Sequence, residues 1–507
     1  MKHFTLRSFF TGLIGLLIIT TSSMYVSLRM GALPWPTIFV AVLSMTILGK
    51  AKNSTLQEIN ITHTLMSSGA MVAGGLAFTL PGIWILNPDA VLPITDAMIV
   101  CVLGAVLGSL FSAVFRKNLV EEQALVFPIG NAAYNTLITG IKKSRESITL
   151  FLSMGLSIIF TIFRDAFALL PSVFTLFGGN AHIPMISFWV SPMAFAIGAV
   201  IDKMAALCWF GGAVISYFVL APLGCSELFR QNIGIGLMIG TGIGILVKAF
   251  AKIICNKDRK AVMRKQDILF SCAVILGSAV ILTFGADLSL LQACIAVFLV
   301  GVSCLLSGML TGQSGINPME IFGILVMLAV GFVRQSSVMT LFLVASLTAV
   351  ACGLSGDVMN DLKSGYLLHT NPFQQVLAEF LGGTIGAVIA VFCLFAMKKA
   401  YGSFGTPALP APQAKAVASM AAGFGNSTEF FVAIAIGTVL FLMNIPSATL
   451  GLGIYLSMQI SLPVGLGALI TYFAVKKFKA NDINLVASGL LGGEGIAGVL
   501  IAIFSMF

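Results

Sequence analysis

The chain has 507 residues, 58% of them hydrophobic and only 9% charged, with a mean hydropathy of +1.03, whereas an average soluble domain carries roughly 25% charged residues. That composition excludes a water-soluble globule as the whole molecule. The formal net charge of +9 points to anionic lipid rather than nucleic acid, because the basic residues sit mostly at the ends of apolar runs.

Apolar runs of about 20 residues, each long enough for a hydrocarbon core of about 30 Å, recur along the chain. The first, from near Phe9 to about Leu28 behind Lys2, His3 and Arg7, reads as a retained span rather than a cleaved leader, since it is too long and Thr20 to Ser27 offers no convincing small-x-small cleavage site. Spans are expected near 8–28, 33–49, 62–86, 96–115, 148–170, 187–201, 204–222 and 231–251. A second set is expected near 267–285, 289–309, 317–333, 337–353, 374–397, 428–443, 446–458, 462–475 and 484–505. The fold class is thus an all-α integral membrane protein of about 16–17 transmembrane segments, several broken by Pro or Gly. Basic clusters at Lys50 and Lys52, Arg116 and Lys117, Lys142 to Arg145, and Lys257 to Lys265 all fall inside if the N-terminus is cytoplasmic. Lys398 with Lys399 and Lys476 to Lys479 do not both obey that rule. The nine cysteines include no Cys-x-x-Cys pair and read as packing residues.

The sequence matches itself at a constant offset of 284 residues, as Gly31 and Pro34 meet Gly315 and Pro318, Lys50 meets Arg334, Gly69 meets Gly353, Asn87-Pro88 meets Asn371-Pro372, and Pro128 meets Pro412. Later the offset is 255, where Gly198, Gly212-Ala213, Ile215 and Tyr217-Phe218 meet Gly453, Gly467-Ala468, Ile470 and Tyr472-Phe473. Gly and Pro coincidences weigh more than apolar ones, because each demands a particular backbone. The change of offset places an extra loop of roughly 29 residues within Leu170 to Phe188. Residues 1–255 are read as one transmembrane repeat, 256–288 as a basic linker with an extra span, and 289–507 as the second repeat. The Lys50/Arg334 match favours parallel halves and the extra run favours inverted ones; the reading leans to parallel.

Charges inside apolar runs cost about 2.5 to 3.5 kcal/mol each near the bilayer centre and are functional candidates. Arg164 and Asp165 lie in the fifth run, Asp202 and Lys203 between two short segments, Glu379 one turn into its run, and Glu494 among three glycines that free the backbone to unwind. Glu58 precedes Ser67-Ser68-Gly69, and Asn317-Pro318-Met319-Glu320 reads as a capped helix start. Asp357 to Tyr366 is a polar stretch between spans, a solvated loop or a site for a zwitterionic or chelated solute. The proline breaks at Phe127–Ala133 and Leu409–Ala414 each carry an amide, Asn131 or Gln413, able to donate and accept. The four histidines, His3, His63, His182 and His369, are scattered, and no hydrolase, zinc-protease or P-loop motif is present. No enzyme, cofactor or resident metal is expected.

Asp357 through Leu368 (Asp-Val-Met-Asn-Asp-Leu-Lys-Ser-Gly-Tyr-Leu-Leu), Pro410 to Ala414, Phe127-Pro128-Ile129-Gly130-Asn131-Ala132, Phe78 to Pro81, Gly451 to Leu456 and the ending Ser488 to Gly495 together resemble the oligopeptide transporter family, in particular its prokaryotic members and yellow-stripe-like branch. The resemblance covers almost the whole chain. It implies an all-helical carrier with an internal duplication, driven by the proton gradient and moving short peptides or metal chelates of siderophore type. The expected function is proton-coupled symport of short oligopeptides across the cytoplasmic (inner) membrane, with metal chelates as the alternative cargo and a channel or embedded enzyme as distant rivals. Solute is expected between the halves near Asp361, Lys363, Tyr366 and the Pro128 and Pro412 breaks with Asn131 and Gln413, with Glu494 or Glu379 as the proton-linked carboxylate. The expected partners are the solute, protons and the bilayer.

Overall fold

The structure is a computed structural model that describes residues 3–504 apart from 32–36, 50–53, 141–143, 179–185, 256–264, 287, 315–316, 423–427 and 475–479. Lys50, Lys52, Lys142, Lys143, the basic stretch 256–264, Lys476 to Lys479 and His182 therefore lie outside the described residues.

The fold is built almost entirely of α-helices, as the composition requires. In chain order they are α1 (Leu6–Met30), α2 (Thr37–Leu48), α3 (Leu56–Ala77), α4 (Gly82–Leu86), α5 (Ile94–Arg116), α6 (Pro128–Gly140), α7 (Ser144–Thr161), α8 (Pro192–Val200), α9 (Lys203–Ile215) and α10 (Glu227–Cys255). Then follow α11 (Lys265–Gly285), α12 (Leu290–Ser314), α13 (Met319–Val333), α14 (Val338–Leu367), α15 (Pro372–Tyr401), α16 (Pro412–Ala421), α17 (Thr428–Leu442), α18 (Ser447–Tyr455), α19 (Met458–Ala474) and α20 (Ala480–Phe504). Short π-helical turns prolong α5, α7 and α9. The sequence sets these starts: Thr5, Thr55, Ser191, Ser337 and Asn371 each accept a backbone N–H at a helix N-terminus, satisfying donors that the first turn leaves free. Among the described residues eight helices of 18 or more residues are long and apolar enough to cross a membrane, joined by shorter apolar ones such as Thr428–Leu442. The chain is a multi-pass membrane protein.

The expected extra loop holds a small antiparallel hairpin, β1 (Val173–Phe177) with β2 (Ile186–Trp189). Around it, element boundaries recur at the offsets read from the sequence. Leu6–Met30 moved by 284 falls on Leu290–Ser314, Pro128 falls on Pro412, and Pro192–Val200 moved by 255 falls on Ser447–Tyr455. Even single bonds correspond: Phe127 N donates to Gly312 O and Ala411 N to Leu28 O, both at 2.8 Å, and Phe127 and Ala411 both adopt positive φ, 48° and 41°, immediately before their prolines.

α3 and α14 form the centre. In their most apolar stretches 89% and 83% of residues are buried, against 28% around α7 and α9, whose outer Leu152, Leu156, Ile159 and Leu207 are exposed as a lipid-facing surface should be. The two central helices run antiparallel: Asn60 bonds Ser364 and Ser67 bonds Asp361 at one end, while Thr79 bonds Ser346 at the other. α3 and α14, which the offset of 284 superimposes, thus run in opposite directions, as they would in inverted rather than parallel halves. α11 lies between them in the chain, and Lys398 bonds Pro88 O at the end of the bundle away from Arg116.

Candidate functional site

Two helical stripes meet at the crossing of α3 and α14. On α3, Asn60, His63, Thr64 and Ser67 fall at i, i+3, i+4 and i+7 and so share one face; on α14, Asp357, Asp361 and Ser364 do the same. All are buried, none above 4% exposure. The polar stretch from Asp357 to Tyr366, placed between spans as a solvated loop or a site, is helical, α14 running as far as Leu367, because α3 supplies partners that water would otherwise supply. Ser67 Oγ donates to Asp361 Oδ2 at 2.8 Å, Ser364 Oγ to Asn60 Oδ1 at 3.0 Å, and Gln375 Nε2 bridges Thr64 Oγ1 and Asp361 O.

α15 brings the third carboxylate. It lies close against α3 because Gly382 and Gly386 leave no side chain in between: a Cβ at Gly382 would stand 2.6 Å from Leu65 O, and one at Gly386 2.9 Å from Gly69 Cα. Glu379, one turn before Gly382, is consequently fully buried, two turns into α15 rather than at an interface. Carboxylate oxygens of Asp357, Asp361 and Glu379 all lie within 4.8 Å of one another. Among the described residues neither oxygen of Glu379 has a hydrogen-bond donor, nor has Asp357 Oδ2, and both ring nitrogens of His63 lack a partner although Nδ1 stands 3.5 Å from Asp361 Oδ2.

Three ionised carboxylates at this spacing would repel by about 3 to 4 kcal/mol per pair at an effective dielectric of about 20. One serine hydroxyl and a histidine offset little of that. The cluster is suited to hold protons or a cation, and its oxygen donors match a hard ion such as Mg²⁺ or Ca²⁺. Asp357 and His63 were not singled out individually from the sequence; the α3 stripe at helical spacing was the available signal.

Of the other expected residues, Lys363 and the Pro128 break lie beside the cluster. Gly130, two residues after Pro128, meets Asn360 O and Lys363 Cβ and donates its N–H to Asn360 Oδ1 at 3.2 Å, while Asn131 Nδ2 turns back to Val126 O. Lys363 Nζ sits 6.0 Å over the ring of Tyr366, which is half-exposed. Pro412 and Gln413 are not part of this group. Pro412 packs on Gly31 and Gln413 Nε2 donates to Gly31 O, at the far end of α1, about 37 Å of helix from the end where Phe4 meets Gln374.

Glu494 stands in a different setting. α20 stays helical through Gly492–Gly495, and these glycines permit close packing on Met154 O and Ser22 rather than unwinding. The Glu494 carboxylate accepts from Arg164 Nη2 at 2.9 Å, Ser191 Oγ at 2.9 Å and Met193 N at 2.7 Å, capping α8 from outside. Arg164 also grips Asp165 through two nitrogens and donates to Val190 O. Glu58 is likewise paired, with Arg7 and Thr5, and Asn317 bonds Ser307 and Cys352 O instead of capping α13.

Comparison with known proteins gives one consistent answer. The family model described as OPT oligopeptide transporter protein matches residues 3–233 and 256–505. A Haemophilus influenzae protein, provisionally named an oligopeptide transporter, is 25% identical over 94% of this chain and 92% of its own. A rice protein (Oryza sativa subsp. japonica), provisionally named a metal-nicotianamine transporter, is 30% identical over 29% of this chain and 24% of its own. An Arabidopsis thaliana metal-nicotianamine transporter is 39% identical over 10% of this chain and 9% of its own.

Proposed function

The chain belongs to the oligopeptide transporter family, and from that membership we propose that it is a proton-coupled symporter of short peptides in the cytoplasmic membrane, with Glu379 and the two α14 aspartates as the coupling site. The observation that carries this reading is the unpartnered, fully buried Glu379 within 4.8 Å of two more carboxylates. A proton neutralises this group at little structural cost, and its departure restores repulsion that strains the α3–α14–α15 crossing. Of the two carboxylates expected to carry the proton, Glu379 is the better supported, since Glu494 already has a guanidinium and two neutral donors. Lys363, Tyr366 and the Pro128 turn with Asn131 border the cluster on the side of the α1 N-terminus. Pro412 and Gln413 mark the corresponding break at the other end, so solute meets the two groups in succession.

We read the matching boundaries as two inverted repeats, residues 1–255 and 289–507, joined through α11. Transporters built this way bind solute at the repeat interface near the midplane and alternate access by rocking one repeat against the other. The relatives named for metal-nicotianamine transport favour a second cargo, a metal chelate carried by the same cycle. In proteoliposomes, a gradient with the acid side outside should drive accumulation of labelled tri-alanine, and a protonophore that collapses it should abolish that accumulation. Accumulation indifferent to that treatment would refute the coupling. Glu379→Gln should lose accumulation yet retain counterflow of preloaded peptide.

A further inference from the structure

Under the β1–β2 hairpin, at the C-terminal ends of α1 and α15, lies a cavity of about 430 Å³ whose lining includes Arg29, Asp165, Trp189, Tyr25, Tyr401 and Gln459. Its size is that of a small-molecule site, about 300 to 1,000 Å³. Two guanidinium groups stand against Trp189: Arg29 Cζ is 4.2 Å from the ring centre and Arg164 Cζ 5.7 Å. They differ in what they still have to offer. Arg164 is occupied by Asp165 and Glu494. Arg29 has no ion pair among the described residues; it donates Nη1 to Ala408 O at 2.6 Å, and its Nε is buried without a partner. A partly buried guanidinium held over an aromatic face at the wall of a cavity, with one buried N–H left over, is suited to an incoming carboxylate, which a guanidinium binds in a fork.

We propose that Arg29 anchors a carboxylate of the transported solute in this cavity. The inference rests on the transport reading above and assigns its solute a required group, supplied either by the C-terminus of a short peptide or by a carboxylate arm of a metal chelate. The two guanidinium carbons lie at most about 10 Å apart through the ring. An extended peptide of two or three residues spans about 7 to 11 Å, so its amine end reaches the side of Trp189 where the Asp165 carboxylate is 28% exposed.

The test is calorimetric titration of the purified full chain in detergent with tri-alanine, tri-alanine amide and the zinc chelate of nicotianamine, on the natural protein, Arg29→Gln and Arg29→Lys. Removing one partner of a charge-assisted fork should weaken binding roughly 10- to 100-fold. Tri-alanine should therefore bind the natural protein that much more tightly than its amide, and Arg29→Gln should bind the two alike, with Arg29→Lys in between. If only the chelate binds, with the same dependence on Arg29, the carboxylate comes from that source. Equal affinity for tri-alanine and its amide in the natural protein overturns the inference for peptides without requiring any variant to fold. Binding of neither the peptide nor the chelate, or chelate binding indifferent to Arg29, overturns it altogether. Tri-alanine uptake by proteoliposomes is measured separately: no uptake beside Arg29-dependent binding defeats the transport reading alone, and uptake beside Arg29-independent binding defeats this inference alone.

Discussion

Replacing Glu494 by glutamine separates a structural carboxylate from a coupling one. Glu494 and Arg164 are both essentially inaccessible, at 0% and 1% side-chain exposure, and breaking such a pair by removing one partner costs about 3 to 5 kcal/mol. Arg164 keeps Asp165, and the glutamine oxygen can still accept from Met193 N or Ser191 Oγ, so a smaller loss than that range, about 2 to 3 kcal/mol, is expected. Alanine, which forfeits all three bonds, should cost more. Thermal unfolding of the purified protein followed by tryptophan fluorescence would show the loss, and Trp189, 5.7 Å from Arg164, should report it early. Uptake per folded molecule and its dependence on the pH gradient should stay unchanged. A Glu494→Gln protein as stable as the natural one but deaf to the gradient would refute this assignment of roles.

Glu379→Gln should behave in the opposite way. The amide removes a buried charge that has no donor, so stability should hold or rise by up to about 3 kcal/mol in the same melting assay, while gradient-driven uptake is lost. Gly386→Val places atoms where Gly69 Cα already lies 2.9 Å from a Cβ; forcing α15 from α3 should cost about 1 to 3 kcal/mol and lower uptake along with the melting temperature. Ser67→Ala removes the side-chain donor to Asp361 Oδ2 and should cost about 1 to 2 kcal/mol, with its effect on uptake non-additive with Glu379→Gln in a double-variant cycle. Ala124→Gly relieves an exposed residue at φ 48° and should stabilise by about 0.5 to 1 kcal/mol, with uptake unaffected.

Much of the architecture was legible because lipid imposes a coarse rule on composition: spans must be apolar, and breaks need Pro or Gly. Hence the apolar runs, the Pro128 and Pro412 breaks and the loop within Leu170 to Phe188 were placed from residues alone. Polarity misled where tertiary partners replace water. Asp357 to Ser364 looked like a loop because little nearby in sequence satisfies those groups; Ser67, which bonds Asp361, and Asn60, which bonds Ser364, come from α3, 294 and 304 positions earlier. Glu494 looked free for the same reason, its guanidinium partner Arg164 being 330 residues away. His63 was passed over because a histidine gains meaning only from what faces it. The lean to parallel halves came from charge matches, whereas α3 and α14, matched at the offset of 284, are bonded antiparallel. Pro412 and Gln413 were grouped with Pro128 because equivalence in sequence says nothing about which end of the bundle each occupies.

The central claim, that protons travel with the solute through the carboxylate cluster, is tested most directly by a pH-sensitive dye outside proteoliposomes held at equal pH on both sides. Addition of tri-alanine alone should alkalinise the outside medium in step with its uptake, and Glu379→Gln vesicles should show peptide exchange without that signal. Peptide accumulating with no movement of protons, or an undiminished proton signal in Glu379→Gln, would contradict it.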